Sequence, residues 1–146
     1  MLLGSYFGRI SHKRRIAVPQ KLRASLGESF ILAKWYEGCL ILVSETGWEA
    51  LLKRLTGTTE LVTKTVRDTD RFILGTAYEM VPDDQGRIVI PGSLAEHAGL
   101  TGNVRFVGLM DRVEIWDEIK WLEKEKEVAK NASEIFEKMA KNKNDK

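Results

Sequence analysis

One short phrase occurs twice in this chain, and any fold must account for both copies. Asp83-Asp84-Gln85-Gly86-Arg87-Ile88-Val89-Ile90-Pro91 reads as a turn feeding a short strand that a proline stops. Asp83 and Asp84 open the turn, and Gly86 supplies freedom at positive φ. The β-branched run Ile88-Val89-Ile90 suits a strand packed on both faces. Ser11-His12-Lys13-Arg14-Arg15-Ile16-Ala17-Val18-Pro19 has the same shape 72 positions earlier, with Arg15 matching Arg87 and Pro19 matching Pro91.

The flanks repeat as well. A short helical stretch follows each proline and ends at Leu26-Gly27 or Ala98-Gly99, with the glycine where a left-handed C′ residue is wanted. Ser29–Trp35 and Val104–Val107 read as strands, with Leu40–Val43 and Val113–Trp116 as their partners. Trp48 and Trp121 each open an amphipathic helix, now 73 apart. A unit of roughly 50 residues is marginal alone, so the two copies are expected to share a core.

This tandem pattern resembles the MraZ family of bacterial regulators of the division and cell-wall gene cluster. The family signature is D-x-x-x-R, an apolar strand and Pro, once per repeat. Asp83…Arg87-Ile-Val-Ile-Pro91 matches it in full, and Gly4-Ser-Tyr6 and Val113-Glu-Ile-Trp116 support the match over roughly residues 1–122. Copy one departs from it, with Ser11 in place of the Asp and Arg14 in place of the Gly; one extra residue precedes Asp83. The resemblance implies an α+β fold of two pseudo-symmetric AbrB/SpoVT-like swapped-hairpin β units. They would share one small barrel-like core, with flanking helices and a long C-terminal helix. The expected division is a first repeat over 1–57, a linker helix over 58–74, a second repeat over 75–122 and a C-terminal helix and tail over 123–146. It further implies a sequence-specific DNA-binding transcriptional regulator that acts on repeated sites upstream of its own operon, and a ring-like homo-oligomer larger than a dimer.

Charge adds an independent argument. The net charge of +2 conceals an asymmetry. Residues 1–57 hold nine Lys/Arg against four Asp/Glu, whereas 76–116 hold three against six. Arg9, Lys13, Arg14, Arg15, Lys21 and Arg23 occur in the first 27 residues with no acid among them. Such a run is either a solvated face or a footprint for a polyanion, and its place on a repeated hairpin favours nucleic acid. No apolar run approaches the ~18 residues of a membrane span, and Met1-Leu2-Leu3-Gly4 lacks the charged start of a signal peptide. A lone Cys39 cannot form an intrachain disulfide, which is compatible with a reducing cytoplasm; a nucleoid-associated location follows from the DNA reading.

Along the chain, Gly4–Ile10 reads as a half-polar strand near an edge, Ser11–Arg14 as the turn and Ile16–Val18 as the second strand. Leu22 and Leu26 share a helix face from which Lys21 and Arg23 point away. Glu37-Gly38 suits a hairpin turn. Thr46-Gly-Trp-Glu49 and Ser93-Leu-Ala-Glu96 have the capping-box pattern. Trp48, Leu51, Leu52 and Leu55 form one apolar helical face, ended by Gly57. Leu61, Val62 and Val66 give a weak helical period over Thr58–Arg71. The last helix is expected to start after Asp117 and run to about Ala140, with Trp121 and Leu122 on the body. Its later apolar stripe, Val128, Ala132, Ile135, Phe136 and Met139, covers either a neighbouring subunit or its own chain.

Enzyme motifs are lacking: there is no P-loop, G-x-G-x-x-G, nucleophile elbow or H-E-x-x-H. One Cys and two isolated histidines do not make a zinc site, so neither metal, cofactor nor small-molecule substrate is expected. Cys39 reads as a small buried hydrophobe and His97 as an exposed residue near a helix end. For DNA there is a mechanism. A two-stranded ribbon fits the major groove, and an arginine there can bind guanine O6 and N7 bidentately. Arg15 and Arg87 would present two such groups; Lys13, Arg14, His12 and Arg9 would add phosphate contacts. Gln85 is a further hydrogen-bonding candidate, and Asp83 either orients Arg87 or merely pairs with it. A second reading, an antitoxin-like protein that binds a protein toxin as well as DNA, would use the last helix as the toxin-binding arm.

Overall fold

A computed structural model describes residues 1–57 and 62–144. Short alternating apolar runs separated by turns make the strands. In copy one these are β1 (Leu3–Arg9), β2 (Arg15–Ala17), β3 (Phe30–Lys34) and β4 (Leu40–Ser44), with α1 (Gln20–Leu26) after β2 and α2 (Trp48–Thr56) after β4. A connecting helix, α3 (Lys64–Ile73), leads to copy two. There, β5 (Tyr78–Met80), β6 (Arg87–Val89), α4 (Gly92–Ala98), β7 (Asn103–Leu109) and β8 (Val113–Asp117) repeat the order. Two helices, α5 (Glu118–Lys130) and α6 (Ala132–Asn144), follow.

The copies are interlaced. One antiparallel sheet has the order β1-β7-β8-β4-β3-β5, and a separate two-stranded ladder joins β2 to β6. Each copy's first strand therefore lies against the other copy: Leu3 opposite Leu109, and Phe30 opposite Met80. The α+β class is as expected, but the described strands form an open sheet with β1 and β5 at its ends, not a closed barrel.

Period-two alternation gives this sheet two apolar faces. Phe30, Leu32, Leu40, Leu42, Phe106 and Ile115 face a core closed by Ile16 and Ile88 of the ladder and by Leu22 and Leu94 of α1 and α4. Ala33, Ile41, Val43, Val107 and Trp116 face the opposite way, beneath Leu51 of α2, Ile73 of α3 and the half-buried Trp121. Burying each of Ile16 and Ile88, 1% and 4% exposed, contributes roughly 1.5–3 kcal/mol.

Several sequence expectations need correction. β6 is buried on one face only: Ile88 is in the core while Val89 stands out, because the ribbon has sheet below it and solvent above. Neither capping box forms. At α2 the Ser44 hydroxyl accepts the Gly47 amide, and at α4 proline is the cap residue and Ser93 lies inside the helix. The helix expected over 58–74 starts at Lys64, where the Thr63 hydroxyl accepts the Val66 amide; residues 58–61, including Leu61, lie outside the described residues. Asp117 does cap the last helix, through the Lys120 amide. That helix breaks at Asn131 (φ −102°, ψ 10°), a weak helix former, into α5 and α6. Trp121 packs on the body as expected, but Leu122 does not: it is exposed. Val128, Ile135, Phe136 and Met139 are exposed too, so the stripe does not fold back on its own chain.

The two turns share one hydrogen-bond scheme. Ser11 N–H donates to Arg15 O and Asp83 N–H to Arg87 O; Arg14 N–H donates to Ser11 O and Gly86 N–H to Asp83 O. Val18 N–H then reaches across to Gly86 O, and Ile90 N–H to Arg14 O. Equivalent geometry demands equivalent backbone, so Arg14 adopts the left-handed region at φ 60° that Gly86 occupies at φ 76°. At Gly86 glycine is needed on a second count: a Cβ there would lie 2.4 Å from the Arg23 guanidinium carbon. Gly86→Ala is therefore expected to cost roughly 2–3 kcal/mol, from about 1–2 of left-handed strain and about 1 for the displaced Arg23 hydrogen bond. Urea unfolding measures it, and an unchanged midpoint would refute the close approach.

Candidate nucleic-acid interface

The β2–β6 ladder is a ribbon with one face in the core and one in solvent. Its register sets Arg15 opposite Val89, Ile16 opposite Ile88 and Ala17 opposite Arg87. Because Ile16 and Ile88 point inward, Arg15, Ala17, Arg87 and Val89 share the outer face. Arg15 and Arg87 are diagonal neighbours there, a relation that sets Cα atoms about 7–8 Å apart. The two turns, 11–14 and 83–86, sit at opposite ends of the ribbon.

The two ends differ chemically. In copy two the Asp83 carboxylate accepts three bonds: Oδ1 from the Gln85 and Arg87 amides, each at 2.9 Å, and Oδ2 from Arg87 Nε at 2.8 Å. The Arg87 amide chiefly, with its guanidinium and the Gln85 amide, holds the Asp83 carboxyl below its usual pKa of 3.8. Arg87 is thereby aimed while its terminal nitrogens remain outside that pair. In copy one the Ser11 hydroxyl takes the Arg15 amide at 3.1 Å, and among the described residues no carboxylate reaches the guanidinium. Arg15, Lys13, His12 and Arg9 are exposed, and among the described residues their side chains make no hydrogen bond or ion pair. Gln85 is exposed at the opposite tip. Arg14 instead folds over the ribbon, its Nε donating to Ile90 O at 2.9 Å.

Arg23 was not singled out in the sequence, because its helical spacing points it off the Leu22–Leu26 face. Its Nε nonetheless donates to Val18 O at 3.0 Å, over the second turn. Only its membership of the acid-free basic run marked it.

Elsewhere the groups are structural. Cys39 is fully buried and its thiol donates to Tyr36 O at 3.4 Å; burial pushes its pKa well up, away from reactivity. His97 is not exposed as expected: its Nε2 lies 3.0 Å from Trp35 O and its ring meets Phe72 edge-on at 5.6 Å. Phe72, which covers the ring, comes from α3. Among the described residues no group of three or more His, Cys, Asp or Glu could hold a metal ion, and no helix is long and apolar enough to cross a membrane.

Comparison with known proteins agrees with the duplication. A family model described as "MraZ protein, putative antitoxin-like" matches twice, over residues 1–72 and 73–143. A protein named transcriptional regulator MraZ from Caldanaerobacter subterraneus is 40% identical over 137 residues, covering 94% of this chain and 95% of its own. Proteins of the same name from a Thermoanaerobacter species and from Acetivibrio thermocellus are each 39% identical, covering 99% and 96% of this chain and 98% and 97% of theirs. With both repeats matched and relatives aligned over nearly their whole length, the chain belongs to the MraZ family.

Proposed function

We propose that this protein is a transcriptional regulator that binds double-stranded DNA sequence-specifically through the outer face of the β2–β6 ribbon. Its sites would be repeated elements upstream of its own operon in the division and cell-wall gene cluster. The observation that carries the reading is the pair Arg15 and Arg87, diagonal on a solvent-facing two-stranded ribbon of a width the major groove admits. Arg87 comes to the groove aligned by Asp83, and Arg15 comes without a partner among the described residues. Lys13, His12, Arg14 and Arg9 supply phosphate contacts at one end, and Gln85 offers an amide at the other. Each strand exchange between copies supports the swapped-hairpin description, with repeats over 1–57 and 75–122, a linker over 58–74 and a C-terminal segment over 123–146. Such a protein works in the cytoplasm on the nucleoid, with no catalytic residue assigned.

One chain covers little DNA, so useful affinity calls for several chains on repeated sites. Two different open edges, β1 and β5, suit head-to-tail association into a ring. The exposed α5–α6 stripe would cover the joint. The same stripe is what an antitoxin-like protein would offer a toxin, and self-association without any second protein separates the two readings.

Arg15→Ala and Arg87→Ala are each expected to weaken binding to the upstream duplex by about 5- to 150-fold, as for removal of a bidentate base contact of roughly 1–3 kcal/mol. The double variant should lose specific binding while circular dichroism stays native; retained affinity refutes the ribbon as the interface. The Asp83 clamp has a pH signature. Because its folded pKa is depressed, its contribution is complete above 3.8 and is lost as pH falls below that value. Carboxyl carbon NMR should place the Asp83 midpoint below 3.8, and a midpoint at or above it removes the clamp. Light scattering should find a homo-oligomer larger than a dimer; a monomer of 16.6 kDa at micromolar concentration would exclude the ring.

A further inference from the structure

The turn residues Arg14 and Gly86 occupy equivalent places, yet one carries the longest basic side chain and the other none. The ribbon's ends nonetheless match. Val18 and Ile90, equivalent residues that close the ladder, each send their N–H to the opposite turn, to Gly86 O at 2.9 Å and to Arg14 O at 2.8 Å. Each also receives an arginine Nε on its own carbonyl. At Ile90 the donor is Arg14 at 2.9 Å. At Val18 the equivalent donor would be residue 86, which has no side chain, and Arg23 of α1 takes its place at 3.0 Å. The substitution is reciprocal. Position 95, equivalent to Arg23, is Ala95, small and 6% exposed, and sends nothing toward Ile90. Arg14 and Ala95 on one side thus answer Gly86 and Arg23 on the other.

We propose that Arg14 and Arg23, non-equivalent in sequence, act as an equivalent pair of DNA-phosphate clamps at the two ends of the ribbon, so that the arginine-bearing face is two-fold although the chain that forms it is not. The inference rests on the ribbon being the DNA-binding face. Its chemistry follows from how each guanidinium is held. One edge, Nε, is fixed on a carbonyl, which removes much of the side chain's freedom. Among the described residues the terminal nitrogens make no hydrogen bond, and they are the edge that grips a phosphate oxygen pair. Neither side chain has an acidic partner among the described residues, unlike Arg87, Arg54, Arg105 and Arg112, which all pair with carboxylates. Arg14 and Arg15 on one side then correspond to Arg23 and Arg87 on the other.

The probe is a fluorescent duplex of the chain's own upstream region, titrated at several salt concentrations with the full-length protein. Arg23→Ala and Arg14→Ala should each lower the slope of log K against log salt by about 0.9 for each phosphate no longer neutralised, with affinity reduced for unrelated duplexes in the same proportion. The decisive variant is the double exchange Arg23→Ala with Gly86→Arg. Removing Arg23 clears the space where a side chain at 86 would collide, and the backbone at 86 already has the left-handed φ that Arg14 tolerates. This double variant should regain the wild-type slope that Arg23→Ala alone loses. Arg23→Lys keeps the charge without the Nε anchor, and it should keep the slope while losing several-fold in affinity. An Arg23→Ala variant with lowered thermal stability but an unchanged slope would overturn the proposal and leave Arg23 a structural cap. If wild-type protein binds no duplex at any salt, the ribbon reading itself fails. If it binds, and the Arg15→Ala, Arg87→Ala double variant loses specific binding while the Arg14 and Arg23 variants match wild type, only this inference fails.

Discussion

Ile16 meets Ile88 at the centre of the β2–β6 ladder, and the architecture hangs on that contact. It pins the two copies together at their equivalent points, seals the core over Phe30 and Phe106, and turns the remaining residues of both strands outward. Period-two geometry leaves no choice in this: once the isoleucines go in, the arginines on either side go out. A slip of one residue in the ladder would bury Arg15 or Arg87 and expose the isoleucines, so the apolar pair fixes the register of the polar face. Stability and presentation of the basic side chains are therefore set by the same two residues.

The near-symmetry is imposed by backbone and relaxed in side chains. Both turns close with the same hydrogen bonds, whether the acceptor is the Asp83 carboxylate or the Ser11 hydroxyl. Serine offers one oxygen where aspartate offers two and a charge. Copy one therefore keeps the turn but releases its arginine, while copy two holds its arginine by an ion pair. Half-exposed, that ion pair contributes orientation more than stability.

Much of the fold could be read from the sequence because it is duplicated. The offset of 72 located both turns, both short helices and the strand pairs that follow them to within a residue or two. The interleaving of strands could not be read from pattern, since alternation tells which face a residue takes and not which strand lies beside it. The capping boxes failed because the spacing T-x-x-E or S-x-x-E says nothing about where the chain turns: Ser44 reached the Gly47 amide first, and proline fixed the start of α4. His97 was misread because α3, whose Phe72 packs on it, is distant in sequence. Of the candidate site, the outward placement of Arg15 and Arg87 was legible from their place before the paired isoleucines. Arg23 was not, because its contact with Val18 O depends on a missing side chain in the other copy.

The exchange of first strands also sets an order of events as the chain is made. β1 leaves the ribosome well before β7, its partner among the described strands, so Leu3 waits for Leu109. At roughly 5–20 residues per second, that wait is on the order of 5–20 s. During it, Leu3 and Phe7 have no sheet to join, and any second nascent copy offering a β7 is a competing mate. What protects the native pairing is the tether: the connecting helix keeps the correct β7 within reach of its own β1, a concentration no neighbouring polypeptide matches. Duplication within a single gene product thus turns what would be assembly between two small subunits into a unimolecular step, slow but independent of how much protein the cell has made.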